Sequence, residues 1–179
     1  MLMKKFCKNS CDIIVVCVII CMMFIAINFI VNDIGVSKAN IEADIQVQQY
    51  LPDDWIMLGE ISDEMAAYIS YSPDKSDYTY SLYINPSGLS IGYFFRAGGD
   101  LMGIGKYIQG FSLKDYSEIA FISMNELDIE RVEIRKNNKV EILELDSSDP
   151  FAIVLSKSAE NITFFDKNNN VVDYFLFPL

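Results

Sequence analysis

The chain has 179 residues and a net charge of -11, from 14 Lys and Arg against 25 Asp and Glu, yet its mean hydropathy is +0.22. So acidic a chain, with no basic run beyond Lys4, Lys5 and Lys8, excludes nucleic-acid binding of the usual electrostatic kind. It contains no histidine, which excludes Ser-His-Asp and Cys-His catalysis and histidine-based metal sites, and its length fits one compact domain.

Acidity and hydropathy coexist because they occupy different segments. Residues 1–12 form a short basic tail. Ile13 to Val31, IIVVCVIICMMFIAINFIV, is 19 residues without a charge, and Asn28 is its one polar member. At about 1.5 Å per residue, a helix of this length matches the ~30 Å hydrocarbon core of a bilayer. Lipid offers the backbone no hydrogen-bond partner, so the segment must be helical there. The spacing predicts a transmembrane helix over 13–31. Lys4, Lys5 and Lys8 precede it; Asp33, Glu42 and Asp44 follow, opposed only by Lys38. The positive-inside rule then puts the N-terminus in the cytoplasm and the C-terminal part outside, a single-pass cell-membrane protein that meets lipid through residues 13–31. The alternative is a cleaved signal peptide, with Ser37-Lys38-Ala39 supplying small residues for cleavage. The apolar run exceeds the ~7–15 residues of a signal-peptide core, which favours the anchor.

Cys7, Cys11, Cys17 and Cys21 all precede Met22. The outward part therefore has no thiol and no disulfide, and a disulfide-framework module is excluded. Cys17 and Cys21 share a helix face as small apolar residues. Residues 32–52 read as a juxtamembrane stalk or short helix, with Ser37 as N-cap, Ile41 and Ile45 on one face, and a stop at Leu51-Pro52.

Residues 53–179 read as a mainly β, antiparallel sandwich-like extracytoplasmic domain. Trp55 is expected to anchor its core. Strands are predicted at 55–62, 66–72, 78–85, 89–96, 118–124, 130–136, 139–145, 151–155, 161–166 and 171–175. They are separated by turn chemistry such as Ser72-Pro73-Asp74, Asn85-Pro86-Ser87-Gly88, Asn137-Asn138 and Asp149-Pro150. Gly98 to Gly110 holds five of the nine glycines and reads as a flexible connection, with one helical turn at 112–117. For the hairpin near Asn137, a three-residue loop pairs Ile134 with Val140 and Val132 with Ile142 and so separates apolar from charged residues. It is preferred over a two-residue loop, which pairs Ile134 with Glu141. A three-residue loop at Lys167–Asn169 pairs Phe164 with Val172 and Ile162 with Tyr174.

Tyrosine suits interfaces, because it offers rigid area with a polar tip. Tyr71, Tyr78, Tyr80 and Tyr93 crowd one meander and are the candidate partner-binding face; the competing reading makes half of the meander's tyrosines core and half ordinary β-formers. Asp166 opens a calcium-like run, DKNNN, but Val171 stands where a calcium loop needs glycine and Phe177 where it needs glutamate. Carboxylate pairs at Asp53-Asp54, Asp74 with Asp77, and Asp146 with Asp149 read as solvated turns. No catalytic residue, cofactor or metal is predicted. Setting aside Lys4, Lys5, Lys8 and Asp12 leaves 11 cations and 24 carboxylates, net -13 for the outward part. That balance favours a basic protein partner in the envelope. The function expected is an anchored interaction protein, an envelope accessory or immunity-type protein without catalytic activity. The alternative is a carboxylate-based hydrolase of cell-wall polysaccharide.

Overall fold

The structure, a computed structural model, describes residues 2–100, 106–137 and 139–179, and within the first helix the side chains of 14–29 and 32–33. That helix, α1, runs Leu2–Asp33. From Ile14 to Phe29 its described side chains are exposed. Among the described residues no helix is long and apolar enough to cross a membrane. The expected span, 13–31, lies partly outside the residues whose side chains are described, as do Cys7, Cys11 and the basic tail.

A 3-10 turn, Lys38–Asn40, leads into α2, Ile41–Gln48. Ile41 and Ile45 are four apart, share a face and are fully buried. Gln49 caps the helix, and Tyr50 (φ 56) turns left-handed. Leu51 N–H reaches Gln46 O at 3.0 Å and Tyr50 N–H reaches Val47 O at 3.4 Å, the paired bonds of a Schellman stop. Far from standing free as a stalk, α2 packs on Ala66, Tyr68, Tyr83 and Tyr93.

Among the described residues twelve strands follow: β1 Ile56–Ile61, β2 Met65–Tyr71, β3 Tyr78–Ile84, β4 Phe94–Gly99, β5 Ile108–Ser112, β6 Glu118–Ser123, β7 Ile129–Lys136, β8 Lys139–Glu144, β9 Phe151–Ser156, β10 Asn161–Asp166, β11 Val171–Val172 and β12 Tyr174–Pro178. They form three four-stranded sheets, ordered β1-β2-β3-β4, β12-β5-β6-β9 and β11-β10-β7-β8. The pairing is antiparallel except for β12, which runs parallel to β5. The domain is mainly β and sandwich-like, as expected.

The sheets stack, and the middle one explains the sequence of its strands. One of its faces meets the first sheet through Phe111, Ile122 and Val154 against Ile69, Tyr80 and Leu82. Its other face meets the third sheet through Ile108, Phe121 and Ile153 against Val132, Ile162 and Phe164. Strands buried on both faces cannot alternate, so β6 and β9 read EIAFIS and FAIVLS rather than in a polar–apolar period. Helix α2 covers the far face of the first sheet. The order is helix, sheet, sheet, sheet.

Five expectations need correcting. Residues 98–110 are not one flexible connection: Gly98 and Gly99 end β4, Ile108–Gly110 begin the buried β5, and 101–105 lie outside the described residues. Segment 112–117 is a turn closed by Tyr116 N–H to Leu113 O, not a helical turn. Residues 89–93 are not strand. Gly92 (φ 91) breaks them, and β4 starts at Phe94. In the β7–β8 hairpin, Lys136 pairs with Lys139 and Ile134 with Glu141, the two-residue loop. Asn137 (φ 51) takes the left-handed conformation such a loop needs. Leu143, opposite buried Val132, supplies the core, while Val140 and Ile142 are left about half exposed on the outer face. The second hairpin pairs Phe164 with Val172 as expected, with Asn169 left-handed (φ 63). Tyr174 does not pair with Ile162. At Asp173 the chain leaves the third sheet and Tyr174 joins Ile108 in the middle one.

Candidate functional site

The four candidate tyrosines do not form a surface. Tyr71 and Tyr80 are 4 % and 7 % exposed, and with Tyr78 they point into the layer between the first and middle sheets. Tyr80 stacks on Phe111 with centroids 5.1 Å apart. Tyr93, 2 % exposed, lies on the opposite face beneath α2 and donates its hydroxyl to Ser62 O. Alternation along β3 does divide Tyr78 and Tyr80 from Tyr83, but both faces are covered. Burial raises the Tyr71 and Tyr80 hydroxyls above their usual pKa. Tyr83 is raised furthest, first by burial and then by Asp44, whose carboxylate accepts its hydroxyl at 2.6 Å. Trp55 is only half-buried, beside α2 rather than in a core layer.

Three carboxylates at bends, Asp74, Asp146 and Asp166, are occupied by their own turns, while Asp53 accepts Gln46 Nε2 at 2.6 Å and Asp149 meets Lys75 Nζ at 3.4 Å. Asp74 accepts Ser72 Oγ at 2.7 Å and Ser76 Oγ at 2.8 Å, which hold its carboxyl down to about 2. Asp146 is lowered by Ser148 in the same way. Asp166 takes Asn168 N–H and Asn170 N–H at 2.8 Å each and the Asn170 amide at 2.9 Å. Its carboxyl is lowered, most by Asn170. These bonds close the turn, as the sequence suggested. Among the described residues no group of three or more Cys, Asp and Glu is placed to hold a metal ion.

Two of the concavities among the described residues lie on the β-domain beside its turns and free edges. The first, of about 440 Å³, opens between the β1–β2 turn, the β3–β4 loop and the β5–β6 turn, and carries Asp63, Glu64, Asp115 and Tyr116. Glu64 is fixed: its Oε2 accepts Ser117 N–H at 2.6 Å and Ser117 Oγ at 2.9 Å. The Asp63 carboxylate is almost wholly exposed and meets Lys38 Nζ at 3.3 Å, while its backbone O accepts Asn85 Nδ2 at 2.8 Å. Tyr116 on the rim is raised by burial and by the charges of Asp115 and Glu64. An open groove with carboxylates on opposing turns suits an ammonium or guanidinium.

The second concavity, of about 430 Å³, lies between the free edges of β8 and β9, lined by Ile134, Leu143, Ile153 and Leu155. Lys136 and Glu141 stand at its β7–β8 side, and Glu60 closes its β9 edge by accepting Val154 N–H at 2.8 Å. That bond satisfies an edge donor that would otherwise invite another strand.

The sequence pointed to the tyrosines and missed both concavities. The acidic groove gathers residues from three separate turns, and no local spacing links Asp63 and Glu64 with Asp115. No family model, no curated protein and no solved structure matches the chain.

Proposed function

We propose that the protein is a membrane-anchored extracytoplasmic binding protein without catalytic activity, an envelope accessory or immunity-type protein. Its acidic domain engages a basic protein partner at the outer face of the cell membrane. One observation carries the anchor. Twelve large apolar side chains between Ile14 and Phe29, Phe24 and Ile25 among them at 69 % and 70 %, are exposed along α1 with no protein packed on them. Burial of one such side chain is worth about 1.5–3 kcal/mol, so leaving the set in water is a penalty on the order of tens of kcal/mol. Lipid removes that penalty, and Ile13 to Val31 has the length and neutrality to lie in it.

The net -13 of the outward part supports a basic partner. The groove at Asp63, Glu64 and Asp115 is the best place for its cations. Hydrolysis is disfavoured by the surroundings of the same carboxylates: a general acid needs an apolar site that keeps it protonated, whereas Glu64 is hydrogen-bonded by Ser117 in an open groove. The test is capture of basic envelope proteins by the full chain in detergent. Capture is expected at low ionic strength and is lost near 1 M salt, where the Debye length falls to ~3 Å. The double variant Asp63→Lys, Asp115→Lys is expected to lower it at least tenfold. Capture indifferent to both salt and charge reversal, or none at low salt, contradicts the reading.

A further inference from the structure

The chain leaving α1 does not run free to α2; it is clasped to the β3–β4 loop. Ile91 N–H donates to Asp33 O and Gly35 N–H to Ile91 O, each at 2.7 Å, while Val36 and Tyr93 exchange both backbone bonds at 2.8 Å. Ser90 Oγ adds a bond to Asp33 Oδ1 at 3.2 Å. The approach is close enough to need glycine on both sides. A Cβ at Gly35 would lie 2.5 Å from Tyr93 O, and Gly92 holds φ 91 with Val36 O 2.8 Å from the place of its missing Cβ. The helix end and the domain are therefore one unit, further tied by the buried Ile41 and Ile45 of α2.

This clasp gathers apolar side chains that the fold leaves uncovered. Leu89 is 85 % exposed, Ile91 62 % and Ile34 47 %, and Ile34 pairs with Ile91 in a β-bridge. The loop around them, Asn85 to Gly92, reads NPSGLSIG and has no charge. The neutral run extends from Tyr78 to Phe95 in an outward part of net -13. Neutrality matters because a charged loop resists leaving water. Along the chain the patch follows directly on α1, whose Ile25 and Phe29 are exposed. Ile34 stands three residues past Val31, about 4.5 Å at helical rise, and the headgroup zone on each side of the hydrocarbon core is about 5–8 Å deep.

We propose that the β3–β4 loop is a second membrane contact, with Leu89, Ile91 and Ile34 seated at the headgroup–acyl boundary beside the end of α1. The domain then lies against the bilayer instead of standing off on a stalk. The inference rests on the anchor reading above, and the occupant is lipid.

The test uses the full chain reconstituted in phosphatidylcholine vesicles, with acyl chains brominated near the headgroup, brominated near the methyl end, or left plain. In a Trp55→Phe background, tryptophan is introduced singly as Leu89→Trp or Phe24→Trp; both positions are exposed, so the fold tolerates either. Both tryptophans are expected to be quenched at least twofold by brominated lipid, with blue-shifted emission. Quenching at Phe24→Trp with water-like, unquenched emission at Leu89→Trp overturns the loop contact and leaves the anchor standing. Absence of quenching at both overturns the anchor and this inference with it.

Discussion

At the scale of single residues, the hydroxyls of the buried tyrosines carry the clearest consequence. Tyr68, Tyr71, Tyr80 and Tyr83 all have pKa values raised above 10, with burial the first cause of each. A group that holds its proton more tightly when folded contributes stability below its unfolded pKa and loses it as pH climbs toward the folded value. The urea midpoint is therefore expected to stay level up to about pH 9 and to fall steeply above about pH 10. A midpoint unchanged at pH 11 contradicts the burial of these hydroxyls. Their alternation was legible in the sequence, since Tyr78 and Tyr80 share one face and Tyr83 the other. Their burial was not, because it depends on a middle sheet and a helix contributed by distant segments.

At the scale of elements, the β7–β8 turn shows what decides register. Pattern alone favoured pairing Val140 and Ile142 with Ile134 and Val132. The structure instead keeps the two-residue turn, with Asn137 left-handed and Leu143 opposite Val132. Leu143 and Leu145 can fill the core as well as Val140 and Ile142, so the hydrophobic pattern was degenerate and turn chemistry settled the choice. Asn137→Val is expected to destabilise the domain by about 1–2 kcal/mol and Asn137→Gly to leave it nearly unchanged, read from urea denaturation. Equal stability of the two variants would refute the turn geometry. Most strand positions followed from Pro, Gly, Asn and Asp at the breaks. β5 did not, because Gly110 sits inside it where Phe121 and Leu176 close on the backbone. The break at Asp173 was hidden as well, since VVDYFLF reads as one strand until two sheets compete for its ends.

At the scale of the whole molecule, the layers account for the contrast between a hydrophobic chain and an acidic one. The middle sheet and β2 of the first, buried on both faces, take the continuous runs, β10 of the third sheet alternates, and the carboxylates lie on turns and outer faces. Sequence located the apolar segment of α1 but treated residues 32–52 as a spacer. The Gly35 and Gly92 clasp depends on a contact between segments more than fifty residues apart, which no local pattern reveals. A domain held this close to its helix presents a fixed orientation, with Leu89 and Ile91 at the helix exit and the Asp63–Asp115 groove beside the same turns.

The central claim is that α1 crosses a membrane with the β-domain outside. Protease digestion of intact cells that express the full chain with a C-terminal epitope tests it most directly. The account predicts loss of the epitope from intact cells and survival of a short N-terminal membrane fragment. An epitope fully protected in intact cells and digested only after lysis would contradict it.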